Sequence, residues 1–303
     1  MYSEKKKLQM AKIQDLADSL EVEILAHFYQ RPEIKAVADF VGGSRGIFRR
    51  LKKSKAQTIV LCGVDFMAET ISSLRPELNI LIPRHDAACP YSETVSPRTV
   101  WEIRRDDPKA FIVAQAKAPR EVKELADSLM PDDLTPDFWY DKVHDNHLYI
   151  LPGRIGERAE NSFSGSRGSV CQVHWQVEVS HVAQAKKEHP EALVAANVLC
   201  QPEVLAMADK IGDSQALWEF CGHHSALEFI VVAEMGLAES LGQTFGHKKF
   251  YEPEVEIFCP NMKLTNLKDL ITVLESFQLR QGLVTHFGSR PSEGLSSRQS
   301  STS

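Results

Sequence analysis

Apolar residues fall along the chain in short runs separated by amphipathic stretches, the alternation expected of buried strands and surface helices. Lys5 to Leu20 sets Leu8, Ile13, Leu16 and Leu20 largely on one side and predicts an amphipathic helix. Val22 to Ala26 is a continuous apolar run and predicts a short buried strand, with His27 and Tyr29 at its end. Arg31-Pro32-Glu33 predicts a helix start: the missing N–H of Pro32 costs nothing in a first turn, and Glu33 complements the helix dipole. Ile34, Val37, Ala38 and Val41 continue that helix at the right spacing, and Gly42-Gly43-Ser44 ends it. A strand over Ala56–Cys62, a helix over Met67–Leu74 and a strand over Leu78–Pro83 complete a small parallel layer, closed by the loop Asp86–Tyr91.

Two further rounds follow. The second reads as a helix over Pro97–Arg105, a strand over Ala110–Gln115, a helix over Pro119–Leu129, a break at Pro131–Pro136 and a strand over His147–Pro152. Gly153 to Val170, rich in Gly, Ser and Arg, is expected to be a surface loop. The third reads as a helix over Val177–Glu188, a strand over Ala192–Cys200, a helix over Pro202–Ile211 closed by Gly212-Asp-Ser, and a helix at Ala216–Cys221. A strand at Phe229–Ala233, a helix at Leu237–Leu241, a strand at Lys249–Ile257 and a closing helix at Asn266–Ser276 finish it. Each round ends in a cysteine, Cys89, Cys171 and Cys259, at separations of 82 and 88 residues. Near-equal spacing at equivalent loops suggests an internal three-fold repeat with its cysteines converging on an axis.

The rounds of strand and helix predict an α/β fold of small parallel-sheet domains, with a three-fold repeat as one reading of the cysteine spacing. Residues 1–96 hold the N-terminal helix and first domain, 97–176 the second, and 177–280 the third with its closing helix; 281–303 is expected to be a disordered tail by composition.

Composition narrows the function only by exclusion. The chain has 303 residues, 43% hydrophobic and 25% charged, ordinary values for a globular protein. A net charge of −6 provides no basic field for nucleic acid or membrane. No apolar run approaches the roughly 20 residues of a membrane span, and the N-terminus lacks a signal-peptide core, so a cytoplasmic location is expected. Six cysteines are too sparse for a disulfide scaffold, and none form a C-x-x-C pair. By spacing alone, metal binding is a weak reading beside buried packing cysteines.

The stretch Leu25-Ala-His-Phe-Tyr-Gln-Arg-Pro-Glu-Ile-Lys-Ala-Val-Ala-Asp-Phe-Val-Gly-Gly-Ser44 resembles the N-terminal signature of quinolinate synthases, departing at Gly43, where that family places Asp. Cys-Gly-Val-Asp-Phe-Met-Ala-Glu-Thr (62–70), Glu-Val-Lys (121–123), Cys-Gln-Val-His (171–174), Pro-Glu-Val…Ala-Asp (202–209) and Cys-Pro-Asn-Met-Lys (259–263) resemble further motifs of the family, so the resemblance covers residues 18 to 275. It implies three similar small parallel-sheet α/β domains related by pseudo-three-fold symmetry, with a [4Fe-4S] cluster and active site at their shared centre. Cys89, Cys171 and Cys259 would ligate it, leaving one iron open as a Lewis acid for loss of water. It also implies a small-molecule substrate, iron–sulfur assembly machinery as partner, and a place in pyridine nucleotide biosynthesis.

Departures cluster at the implied pocket. The family's Y-V-N-T aligns with Gln115-Ala116-Lys117-Ala118, its H-P-E-C with Asn197-Val198-Leu199-Cys200, and its G-S-T-S turn with Gly212-Asp213-Ser214-Gln215. Its T-S-S-N cradle falls at Ser128-Leu-Met-Pro-Asp-Asp133. Retained are His27, Tyr29, Ser44, His174 and Glu234. His27 is the expected proton-transfer group, since an ordinary imidazole titrates near pH 6.5. Tyr29 is expected to donate to a developing alkoxide, and Glu234 to act as general base or substrate clamp. Ser44, Arg45, Lys117, His174, Asn197, Asp213 and Ser214 are expected to line the substrate. Asp213 makes its helix start less welcoming to an anion, while Arg45 and Lys117 add positive charge.

The expected function is a quinolinate-synthase-like iron–sulfur lyase or transferase. It would use the open iron for dehydration, condensation or cyclisation of a small carboxylate-bearing metabolite other than the standard substrates. Two alternatives stand beside it: an authentic quinolinate synthase, joining iminoaspartate and dihydroxyacetone phosphate, and a non-catalytic iron–sulfur or ligand-binding protein. Cys62 and Cys200 read as core, Cys221 with His223-His224 as polar surface rather than a metal group, and Lys5-Lys6-Lys7 as a solvated helix start.

Overall fold

Successive residues of a strand point to opposite faces of its sheet, and where both faces are buried the sheet separates two back-to-back cores. In a computed structural model describing residues 2–115, 117–129, 148–151 and 170–287, Val22–His27 (β1) sends Leu25 to one core and Val22, Ile24 and Ala26 to another. Thr58–Cys62 (β3) divides likewise, with Ile59 and Leu61 against Val60 and Cys62. Both strands are almost wholly buried, the signature of a parallel sheet covered on both sides. Phe40–Gly42 (β2) and Asn79–Leu81 (β4) complete a four-stranded sheet in the order β2-β1-β3-β4, parallel throughout.

The third sheet repeats this order. Leu193–Asn197 (β8), Lys210–Gly212 (β9), Glu228–Val232 (β10) and Lys249–Tyr251 (β11) run β9-β8-β10-β11, again parallel. The register recurs too: His27 pairs with Gly42 as Asn197 pairs with Gly212. The middle sheet has Phe111–Ala114 (β5) between Ser128–Leu129 (β6) and Leu148–Leu151 (β7). First and third sheets share one core: Leu25, Ile59, Ala195 and Phe229 join residues of Ser44–Leu51 (α3), Asp65–Leu74 (α4), Ser214–His223 (α10) and Met235–Thr244 (α11). Glu4–Ser19 (α1) and the closing helix Leu267–Phe287 (α12) cover the outer face of the first sheet through Ile13, Leu270 and Leu274. The middle unit keeps a core of its own around Val100, Ile112 and Val122, with Pro97–Asp106 (α5) and Arg120–Leu125 (α6).

Three stretches expected to be single helices break in the same way. The expected helix from Arg31 to Val41 is one turn, Pro32–Lys35 (α2), followed by β2. That over Pro202–Ile211 is Pro202–Leu205 (α9) followed by β9, and that over Pro119–Leu129 is α6 followed by β6. An aspartate decides each case. Asp39 Oδ2 accepts from Ile24 N–H at 2.7 Å, Asp127 Oδ2 from Ile112 N–H at 2.8 Å and Asp209 Oδ2 from Val194 N–H at 2.8 Å. In all three the aspartate N–H returns to the carbonyl of the same strand residue. The aspartate stands 15 residues after its partner each time and turns the chain into an edge strand where helical spacing alone would continue.

The closing helix runs to Phe287, past the expected start of the tail at 281. Helices α3 and α10 begin at the very glycine turns read as helix ends. The expected break at 131–136, and the loop from 153 up to Val170, lie outside the described residues, as does the chain beyond 287. Among the described residues, no helix is long and apolar enough to cross a membrane.

Removing one clasp is expected to weaken its sheet edge. Asp209→Ala leaves the buried Val194 N–H without its acceptor and should cost about 1–2 kcal/mol in urea unfolding. An unchanged midpoint would show that the carboxylate does not hold the edge.

Candidate active site

The strand tips carry the chemistry, and they are built alike. His27, Gln115 and Asn197 end or follow β1, β5 and β8, all buried, and each carbonyl accepts the N–H three residues on, at 2.9–3.0 Å. His27 Nδ1 accepts from Tyr29 N–H at 3.1 Å, and Asn197 Oδ1 accepts from Leu199 N–H at 3.0 Å. Asn197 thus keeps the turn bond of a histidine while giving up the second ring nitrogen. Its amide Nδ2 instead donates to Tyr29 Oη at 3.2 Å, joining the first unit to the third.

Tyr29 is the hub. Its ring meets His27 at 4.5 Å between centroids and His174 at 6.1 Å. Burial raises its phenol pKa well above the ordinary 10, and the charges of Glu234, Cys171, Cys259 and Asp213 push the same way. Burial, then Lys263 and Lys35, pushes His27 down to about 3. The sequence-based expectation of a group titrating near pH 6.5 therefore gives way to a neutral imidazole. With Nδ1 accepting, its proton sits on Nε2.

The three cysteines each open a helical turn. Cys89 O accepts from Ser92 N–H at 2.8 Å, Cys171 O from Trp175 N–H at 2.8 Å and Cys259 O from Lys263 N–H at 3.3 Å. The backbone N–H groups of Ser92 and Tyr91 act to lower the Cys89 thiol pKa, those of His174 and Val173 the Cys171 thiol and that of Met262 the Cys259 thiol. Burial raises all three thiols, Cys259 to about 11, and Cys171 raises both of the others by its charge. The sulfurs therefore form one electrostatic group, although among the described residues no three His, Cys, Asp or Glu side chains are gathered closely enough to grip a metal ion. Amide donors aimed at sulfur suit thiolates that carry iron. Cys62, Cys200 and Cys221 lie in the hydrophobic cores instead, while His223 and His224 are exposed.

His174 Nδ1 lies 3.3 Å from Cys171 Sγ; its Nε2 is buried with no hydrogen-bond partner among the described residues, and burial lowers its pKa to about 3. Lys117 Nζ stands 4.8 Å over the Tyr91 ring. Glu234 is wholly buried and fully engaged: it caps α11 through Gly236 N–H at 2.8 Å, accepts from Cys259 N–H at 3.3 Å and pairs with Lys263 Nζ at 2.9 Å. Lys263 also donates to Tyr29 O at 2.6 Å, and Arg31 Nε to Lys263 O at 2.7 Å. This strap ties the Tyr29 tip to the Cys259 turn. Sequence reasoning quoted Lys263 only as the last letter of a motif, and its distance from Glu234 along the chain concealed the pair.

A second wall joins the starts of α3 and α10. Arg45 Nη2 donates to Asp213 Oδ1 at 2.9 Å, and the same oxygen caps α10 through Ala216 N–H at 2.7 Å. Gln215 Oε1 accepts from Gly43 N–H at 3.1 Å. A Cβ at residue 43 would come within 2.6 Å of Ser214 Oγ and 2.9 Å of Gln215 N, so no aspartate fits there. Ser44 and Ser214 open the two facing helices. Of the expected Ser128–Asp133 cradle, the described residues hold Ser128 and Leu129, both in β6.

A family model described as quinolinate synthetase A protein matches residues 11–286. A quinolinate synthase of Thermodesulfovibrio yellowstonii is 34% identical over 84% of this chain and 86% of its own. One of Desulforudis audaxviator is 30% identical over 94% and 96%, and one of Methanosarcina barkeri 31% over 88% and 89%.

Two outcomes are expected. Between pH 6.5 and about 3 the unfolded chain binds a proton at His27 that the native state refuses. Stability present above 6.5 is therefore lost as pH falls, by about 1.4 kcal/mol per unit from this group. Urea titrations from pH 4 to 7 should show a shallower loss in His27→Gln; equal slopes would mean the imidazole is not held neutral. Lys263→Met strands the buried Glu234 and should cost about 3–5 kcal/mol, with Glu234→Leu/Lys263→Met recovering much of it. A single variant as stable as wild type would contradict the strap.

Proposed function

We propose, from the premise that this chain belongs to the quinolinate synthase family and is an enzyme, that it holds a [4Fe-4S] cluster through Cys89, Cys171 and Cys259. Its substrate would be a small carboxylate-bearing metabolite other than the family's standard pair. The observation that carries this is the contrast between the cysteine turns and the strand tips. The three turns keep one design, with amide donors on each sulfur. The tips meanwhile carry Gln115, Lys117, Asn197 and Leu199 where the resemblance implies tyrosine, asparagine, histidine and glutamate. Bound there, a cluster with an open iron supplies Lewis acidity for loss of water.

The chain's own groups divide the remaining work. His27, neutral with its proton on Nε2, donates to a substrate oxygen instead of removing a proton. Tyr29, whose Oη already accepts from Asn197, has its O–H left to give to a developing alkoxide. Glu234 holds the Cys259 turn and the Tyr29 tip through Lys263. Ser44, Arg45, Asp213 and Ser214 form the wall that shapes the substrate's far end, and His174 supports Cys171. A cytoplasmic location and delivery by iron–sulfur assembly machinery belong to the same reading.

A second reading, an authentic quinolinate synthase, is favoured by a 30% identity that extends over 94% of the chain. One preparation separates the two. Protein reconstituted without oxygen should carry about four irons per chain, lose them in Cys259→Ala, and form no quinolinate from iminoaspartate and dihydroxyacetone phosphate. Quinolinate formation would select the second reading, and an iron-free wild type would sink both.

A further inference from the structure

Lys117 is fastened to the Cys89 turn at two points. Its carbonyl accepts from Ser92 Oγ, and its ammonium lies 4.8 Å over the ring of Tyr91. Tyr91 and Ser92 are the residues whose N–H groups reach the Cys89 sulfur. The side chain is half-buried, and no carboxylate among the described residues pairs with it. The carboxylate whose charge it feels, Asp213, is already taken by Arg45 at 2.9 Å. Its other electrostatic partners are the thiols of Cys89 and Cys171. Cys259 does not have Lys117 among the charges acting on it.

A cation withdrawn from water and left without a counter-charge is costly, so its natural partner is the negative group beside it. We propose that Lys117 is the built-in counter-ion of the group held by the cysteines, a positioning residue of the cluster and not a substrate ligand. Three thiolates around an iron–sulfur core leave excess negative charge, and Lys117 offsets it on the Cys89 and Cys171 side. The aromatic face of Tyr91 keeps the ammonium at that place while leaving its N–H groups unspent. This rests on the cluster proposed above.

The test compares wild type, Lys117→Met, Lys117→Arg and, as a control for net charge, Lys109→Met at an exposed site. Each is reconstituted without oxygen, and iron content, the cluster's midpoint potential and the rate of iron loss to a chelator are measured at fixed pH. Lys117→Met should shift the potential to more negative values and speed iron loss, because a fixed positive charge favours the reduced, more negative cluster. Lys117→Arg should behave like wild type, and Lys109→Met should change neither quantity. A variant with full iron content but unaltered potential and release rate would overturn the counter-ion role. Failure of Lys117→Met to load iron while Lys117→Arg loads fully would support it. An iron-free wild type would overturn the cluster reading itself, and this inference with it.

Discussion

The fold depends on a carboxylate clasp made three times. Asp39, Asp127 and Asp209 each accept a strand N–H and return their own N–H to the same strand residue. The clasp ends a helical turn and delivers the chain to the sheet edge. In the first and third units it also sets Gly42 and Gly212 beside the strand tips, where their carbonyls accept from Phe28 and Val198 N–H at 3.0 Å. The tip residues His27 and Asn197 therefore leave their sheets at matching points. Equivalence of the tips follows from the clasp, not from similarity of the tip residues themselves.

This explains what was legible in the sequence and what was not. Apolar runs marked the buried central strands because burial on both faces leaves nothing polar to interrupt them. The cysteines stand 82 and 88 residues apart, and one of the three parallel sheets precedes each of them in the chain. Edge strands β2, β6 and β9 were hidden: they are two or three residues long, and the residues before them have helical spacing. Periodicity measures which face is buried, and a single turn followed by an edge strand buries nearly the same residues as a longer helix. The aspartate at a constant 15-residue offset was visible in the sequence, but its meaning needed the strand partner. The Glu234–Lys263 strap was illegible for a similar reason, since a pair distant in sequence carries no local signal.

The altered tips preserve local structure. Asn197 makes the same turn bond with Oδ1 that His27 makes with Nδ1, so the backbone is indifferent to the exchange. Gly43 and Gln215 close the opposite wall: Gln215 Oε1 accepts from Gly43 N–H, and a Cβ at residue 43 would meet Ser214 Oγ and the Gln215 backbone nitrogen. The wall they form accepts hydrogen bonds from within the chain that an open helix start would offer to a ligand.

The charge balance of the centre then limits what it can do. His27 and His174 are both held neutral by burial, and Tyr29 is held protonated by burial and neighbouring negative charge. Glu234, the carboxylate closest to an ordinary base, is spent on Lys263 and two backbone amides. Among the described residues, what remains at the tips is a set of two donors: the imidazole N–H of His27 and the phenol of Tyr29. Such a set stabilises oxygen that gains negative charge, and it does not of itself remove protons from carbon.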